Sequence, residues 1–261
     1  MMDRLKNQIG CFGKIRSCGD FISRHVSPSV QQKFDQWLEA GLGESKEKFQ
    51  QQWLDYYLTS PVWYFLRPSA DREQFVFGIM MPSIDKVGRY YPLIVINELQ
   101  YGEPFDLERA EKIEALMLDT LSSDVGVDEF DQQLQLLSKE KYESKMITTE
   151  VDADLSSKSQ QQVMDFISGK LLRIEAEDSD IKANIFAHSS EVAQQHNSIW
   201  WTKGSEHMDT TALVCCDFPP ISGIHATLDG DWQASGWEPL MQNNDEWKEK
   251  KKQQLMEECC D

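Results

Sequence analysis

Two apolar, glycine-punctuated segments contain charged residues, and five of these are candidates for either ion pairing or catalysis. Lys14, Asp20 and Arg24 belong to the first segment, and Asp85 and Arg89 belong to the second. Burying a lone charge costs several kcal/mol, so residues of this kind usually acquire partners. We expect Asp20 and Asp85 to pair with Arg24 and Arg89 or to accept loop N–H groups. A partner-binding surface and a catalytic role for the two carboxylates stay open as alternatives.

Other catalytic and metal-binding patterns are incomplete. Gly10 and Gly13 precede Lys14 as in a phosphate loop, but such a loop needs four residues between its glycines and a Ser or Thr after the Lys, where this chain has Ile15. The five histidines form no H-E-x-x-H pair, and no serine lies in a G-x-S-x-G elbow. We therefore expect no catalytic residue, no cofactor and no metal site.

The charge balance narrows the classes of partner. The 261 residues carry a formal net charge of −18, and the acidic residues are concentrated after residue 102, above all in 103–180. Such a chain repels phosphate backbones and anionic lipid, which argues against a nucleic-acid or membrane-surface function. No apolar run approaches the roughly 20 residues that cross a bilayer, and the first residues lack the apolar stretch of a signal peptide. We expect a cytoplasmic protein without membrane insertion, and a protein partner.

Hydrophobic periodicity predicts the elements that position the charged residues. Apolar and β-branched runs predict strands, and apolar residues spaced by three and four predict helices, with Ser27 as a cap and Gly41 and Gly43 as a helix end. The pattern indicates an α/β fold, a layered sandwich with a central mixed sheet flanked by helices, in a single domain over 1–261. The predicted strands are two within 8–24, then 62–66, 74–81, 91–97, 199–202 and 211–216; the predicted helices are 28–42, 44–59, 107–121, 127–137 and 163–171, with a mobile segment at 138–162 and a fraying helix at 244–261.

Trp200 and Trp201 are adjacent in a predicted strand. Neighbouring strand residues face opposite sides of a sheet, so one indole should enter the core. The other should lie under a helix or face a partner. Trp201 is therefore a candidate either for anchoring the fold or for contacting a partner.

The opening segment also resembles a known family. Gly10–Arg24 is similar to the pattern G-x-[FY]-G-K-[LI]-P-x-x-G-D-F-[VI]-x-R of TagF-type proteins, and the resemblance continues through Ser60–Trp63 and Gly78–Leu93. It is densest over 8–98, and later Trp200–Gly204 and Leu228–Gly230 look like two further elements of the family. Arg16 stands where the family usually has Pro, and the middle of the chain shows no similarity of this kind.

The resemblance implies an α/β domain that restrains a bacterial type VI secretion system after translation, in the cytoplasm and without catalysing a reaction. It implies that the chain binds and sequesters the forkhead-associated scaffold protein of the apparatus, with no small-molecule substrate. The motif residues that it makes candidates for partner binding or fold anchoring are Lys14, Asp20, Arg24, Asp85 and Arg89, and Trp201 joins them on the strand argument above. Two rival functions stay open: a hydrolase or phosphatase that uses Asp20 and Asp85, and a structural subunit of the apparatus.

Overall fold

A computed structural model describes residues 8–68, 74–100, 107–140, 172–175, 198–215 and 217–239. Nine strands among these residues form one sheet, in the spatial order β2-β1-β5-β4-β3-β7-β8-β6-β9. All neighbours are antiparallel except β6 and β9, so the sheet is mixed, as predicted. The strands are β1 (Ile9–Gly13), β2 (Ile22–Arg24), β3 (Trp63–Pro68), β4 (Gln74–Met81), β5 (Leu93–Gln100), β6 (Leu172–Glu175), β7 (Ser198–Thr202), β8 (Thr211–Cys215) and β9 (Glu238–Pro239).

Helices cover both faces of this sheet. One face packs against α3 (Leu107–Ser122) and α4 (Val127–Lys139), which contribute apolar side chains to one core cluster. The other face packs against α1 (Pro28–Phe49) and against a short segment that ends in α5 (Ala226–Asp229). The expected α/β layered sandwich is therefore confirmed. No helix in the part of the chain that the structure describes combines the length and apolar composition that crossing a membrane requires.

Strand periodicity explains how one sheet supplies two cores. In β4, Phe75, Phe77 and Ile79 lie in the cluster beneath α3 and α4, whereas Val76 lies in the cluster beneath α1. Successive strand side chains point to opposite faces, so a run that is apolar at every position fills both cores. All five residues of β1 and all five of β7 are buried for the same reason.

The predicted end of the first helix at Gly41 and Gly43 is wrong. Ser27 caps α1 as expected, with its side chain accepting from the Val30 N–H, but the helix continues to Phe49. Gly41 is needed for packing: a Cβ at this position would lie 2.1 Å from Cδ1 of Ile224. The helix ends where Gln50 adopts φ 49°, and a single 3₁₀ turn then leads into α2 (Trp53–Thr59).

The helix predicted at 44–59 is wrong in its first half, because residues 44–49 belong to α1 and α2 begins only at Trp53. The remaining predicted helices and strands within the described ranges are present, with ends shifted by a few residues. Of the segment 138–162, only residues 138–140 are described, and they close α4. The rest of that segment, the helix expected at 163–171 and the tail at 244–261 lie outside the described residues.

Candidate functional site

Sheet topology brings the two charged segments together. Antiparallel pairing sets the end of β1 beside the start of β5, and the last residue of β4, Met81, lies opposite Leu93. The loop that follows β1 and the loop that joins β4 to β5 therefore meet at one end of the sheet. Lys14 in the first loop and Asp85 in the second are 71 residues apart, yet the Lys14 Nζ donates to the Asp85 Oδ2 over 2.5 Å.

Asp85 is the centre of this site. Its side chain has no exposed surface. Oδ2 accepts from Lys14 and, at 2.7 Å, from the Arg89 Nε, while Oδ1 accepts from the backbone N–H groups of Val87 at 3.0 Å and Arg89 at 2.9 Å. Burial alone would raise the pKa of Asp85, but the hydrogen bonds from Lys14, Arg89 and Val87 outweigh it and hold that pKa below its ordinary range. The carboxylate is therefore ionised, enclosed and fully engaged.

A tyrosine fixes the second loop from the other side. The Tyr57 hydroxyl donates to the Ser83 carbonyl over 2.9 Å and accepts from the Ser83 N–H over 3.1 Å. The Ser83 hydroxyl in turn donates to the Lys14 carbonyl over 2.7 Å. Burial raises the pKa of Tyr57, so its proton stays in place for this contact. The start of the second loop is thus tied to two buried groups, the Tyr57 hydroxyl and the Lys14 carbonyl.

Backbone and side-chain contacts join the loops to each other and to the helices. The Lys86 N–H donates to the Cys18 carbonyl over 3.0 Å, and the Arg89 Nη2 donates to the Gly19 carbonyl. The Arg16 guanidinium donates to the Leu121 carbonyl at the end of α3. We name the exposed surface of the two loops the loop-tip face; it consists of Arg16, Asp20, Phe21, Lys86, Val87 and Arg89.

Comparison with known proteins identifies the region that contains both loops. Residues 10–137 match the model of the TagF N-terminal domain, which is described as type VI secretion system-associated. The chain therefore contains a TagF N-terminal domain. In structure it resembles PA0076 from Pseudomonas aeruginosa PAO1, with a TM-score of 0.62, 27% sequence identity and coverage of 86% of this chain and 95% of that chain. No curated protein sequence matches the chain.

The family match makes this a type VI secretion system-associated protein. Every candidate site residue except Trp201 lies within the TagF N-terminal domain. Trp201 lies in β7, four strand positions from β1, which corresponds to roughly 19 Å at the usual strand spacing. Trp201 is 8% exposed and stacks on Tyr64, with ring centroids 5.4 Å apart. Trp200 stacks on Phe65 on the opposite face of the sheet. Trp201 is thus part of the core and separate from the loop-tip face.

One of the two predicted ion pairs is present in the structure. The pairing of Asp85 with Arg89, and with loop N–H groups, is confirmed. The pairing of Asp20 with Arg24 is wrong: Arg24 lies 3.4 Å from Asp128 at the start of α4, and the exposed Asp20 carboxylate has no partner among the described residues. The reason is topological, because β2 is the edge strand and its last residue, Arg24, reaches the start of α4.

Two structural features of the TagF domain were not predicted from sequence. Lys14 as the partner of Asp85 could be found only from the strand order. Arg67 is 2% exposed, and its guanidinium carbon lies 4.3 Å from the centre of the Phe218 ring while Nε donates to Asp217 over 2.9 Å. An arginine within the apolar run Trp63–Pro68 was the available signal for this buried charge. Within the described ranges, no three His, Cys, Asp or Glu side chains come together as a metal site would require.

Proposed function

We propose that the protein is a cytoplasmic, non-catalytic negative regulator of a type VI secretion system. It acts by binding and sequestering the forkhead-associated scaffold protein of the apparatus. The family match supports the system, and the resemblance of Gly10–Arg24 and Gly78–Leu93 to TagF-type proteins supports the mode of action.

One structural observation carries the choice of binding over catalysis. The charged motif formed by Lys14, Asp85 and Arg89 is paired within the protein, because Lys14 and Arg89 both donate to the Asp85 carboxylate. A carboxylate that has no exposed surface and a lowered pKa is a poor general base. The motif instead holds two loops whose outer surface is accessible to a partner.

The geometry gives no support to the rival hydrolase or phosphatase. That function needs two carboxylates that reach a common substrate or metal. Asp20 is exposed at the surface, whereas Asp85 is enclosed by four hydrogen bonds.

Binding and secretion together test the proposal. The immobilised protein should retain the purified scaffold protein, and its overexpression should lower the amount of type VI substrate in the culture supernatant. Co-expression of extra scaffold protein should restore secretion, since sequestration depends on the ratio of the two proteins. Retention that fails while secretion is unchanged would contradict the proposal. Stoichiometric co-purification with the assembled apparatus would favour a structural subunit instead.

A further inference from the structure

The loop-tip face carries positive charge that its buried neighbours do not neutralise. Lys14 and Arg89 share a single carboxylate, that of Asp85, so this trio keeps one uncompensated positive charge. The excess charge lies at Arg89, whose side chain is 59% exposed. Lys86 is also exposed, and no described residue forms an ion pair with it. Together with Arg16, the face presents three exposed cations and one exposed anion, in a chain whose net charge is −18.

Two large apolar side chains lie among these cations. Val87 is 68% exposed at the tip of the second loop, and Phe21 is 40% exposed where the first loop enters β2. Phe21 is held by an edge-to-face contact with Tyr91, whose ring centroid is 5.1 Å away. Exposed apolar residues surrounded by arginine and lysine have the composition of a protein-binding site with a charged rim.

The tip needs no reordering before a partner binds. The Asp85 N–H donates to the Arg89 carbonyl, and the Gly88 N–H donates to the Asp85 carbonyl, which closes a tight turn with Gly88 at φ 87°. The Asp85 carboxylate fixes the same turn through two further N–H groups. A surface fixed in this way loses little conformational entropy on association.

We propose that the loop-tip face is the docking surface for an acidic segment of a partner protein. Carboxylates of that segment meet Lys86, Arg89 and Arg16, and an apolar side chain of the segment covers Val87 and Phe21. Charge complementarity selects this occupant: the rest of the chain repels an acidic partner, so the face fixes where and in which orientation the partner binds. The inference rests on the proposed function only where the scaffold protein is used as a probe. The second probe, a synthetic peptide, tests the surface independently of that function.

Three variants separate this face from the rest of the surface. Lys86→Glu reverses one charge of the face, and Val87→Ser removes apolar surface from it. Lys139→Glu is the matched control, because Lys139 is an exposed lysine at the far end of α4. The Ser17 hydroxyl donates to the Val125 carbonyl, so the start of α4 adjoins the loops. Thirteen helical residues then place Lys139 about 20 Å away. All three positions are exposed, so the variants should melt like the wild type.

Two probes are titrated in 0.1 M and in 0.5 M salt: the purified scaffold protein and a fluorescent synthetic peptide of alternating Glu and Leu. Lys86→Glu should weaken binding of both about tenfold at the lower salt. That difference should shrink at the higher salt, where the screening length falls from about 10 Å to about 4 Å. Val87→Ser should weaken binding at both salt concentrations, and Lys139→Glu should change it less than twofold.

The outcomes distinguish the two claims. If the wild type binds the scaffold protein and all three variants bind it equally well, the docking surface is wrong while the proposed function stands. If the wild type binds the peptide in a Lys86-dependent way but not the scaffold protein, the proposed function fails and the surface stands. Binding of neither probe overturns both.

A photo-cross-linking residue at position 87 identifies the occupant directly. Cross-links should map to an Asp- and Glu-rich segment of the scaffold protein. Cross-links to a basic or neutral segment, or to a second copy of this chain, would overturn the inference. So would binding to anionic phospholipid vesicles that Lys86→Glu abolishes, because that result would make the face a membrane contact.

Discussion

Replacing Gly41 by alanine tests how closely α1 packs on the residues that precede α5. Gly41 is buried inside the helix, and a Cβ there would lie 2.1 Å from Cδ1 of Ile224 but 3.3 Å from Cγ1 and 3.4 Å from Cγ2. At 2.1 Å one of the two carbon atoms must shift, and the one that can is the terminal Cδ1 of Ile224, whose side chain is itself buried in the core. Gly43 lies on the exposed side of the same helix, and a Cβ there would meet no atom within 4 Å. The two glycines therefore form a matched pair.

The expected energies follow from two opposing effects. Alanine in place of glycine inside a helix stabilises by about 1 kcal/mol, and Gly43→Ala should show this gain in full. At Gly41 the gain is opposed by overpacking, which costs about 1–3 kcal/mol in a close-packed core. Gly41→Ala should therefore destabilise the protein by about 1 kcal/mol, the middle of the resulting range.

Ile224→Val removes the Cδ1 atom that causes the clash and leaves Cγ1 and Cγ2 in place. By itself it should cost about 0.5–1.5 kcal/mol. In the Ile224→Val background, Gly41→Ala should stabilise by up to about 1 kcal/mol, so its effect should change by about 2 kcal/mol between the two backgrounds.

Urea unfolding of the four proteins in this cycle, with Gly43→Ala as a fifth, measures these free energies. A change of 1 kcal/mol should also move the melting temperature by about 2–4 °C for a protein of this size. The contrary outcome is that Gly41→Ala stabilises by the same amount in the wild type and in the Ile224→Val background. In that case α1 and the residues before α5 move apart without a cost in free energy, and the close packing is refuted.

Three further predictions concern the candidate residues. Asp85→Asn should destabilise the protein at pH 7, and urea unfolding from pH 7 to pH 2 should show the difference from wild type shrinking as the pH falls below the unfolded-state value of about 3.9. The reason is that the folded-state pKa of Asp85 is lowered, so its stabilising effect is present above that value and lost on protonation; a difference that grows towards acid pH would contradict this. Trp201→Ala should cost about 3–5 kcal/mol in urea unfolding because the indole is buried and stacked, and a loss below 1 kcal/mol would mean that it is not part of the core. Arg24→Ala should change the free energy of unfolding by less than about 1 kcal/mol, since its pair with Asp128 is exposed; a melting shift as large as that of Trp201→Ala would contradict this.

Local patterns in the chain were enough to predict the types of element, most of their positions and the α/β class. Those properties depend on periodicity and on capping residues such as Ser27, which act within a few residues of chain. The same periodicity showed that Trp200 and Trp201 lie on opposite faces of a strand. It was wrong at Gly41, where a contact with Ile224, remote in the sequence, explains a glycine that locally looks like a helix end.

The partner of each charged residue is determined by the arrangement of the whole fold. The order of strands sets β1 beside β5, and this alone brings Lys14 to Asp85 across 71 residues of chain. The position of β2 at the sheet edge likewise places Arg24 beside Asp128, and Asp20 in the loop before β2 is exposed. Ion pairs between distant segments depend on the packing of the whole sheet, because a charge pairs with whichever opposite charge the fold brings within reach. Local sequence therefore specifies the kinds of residue at this site, and the sheet topology specifies their partners and their exposure.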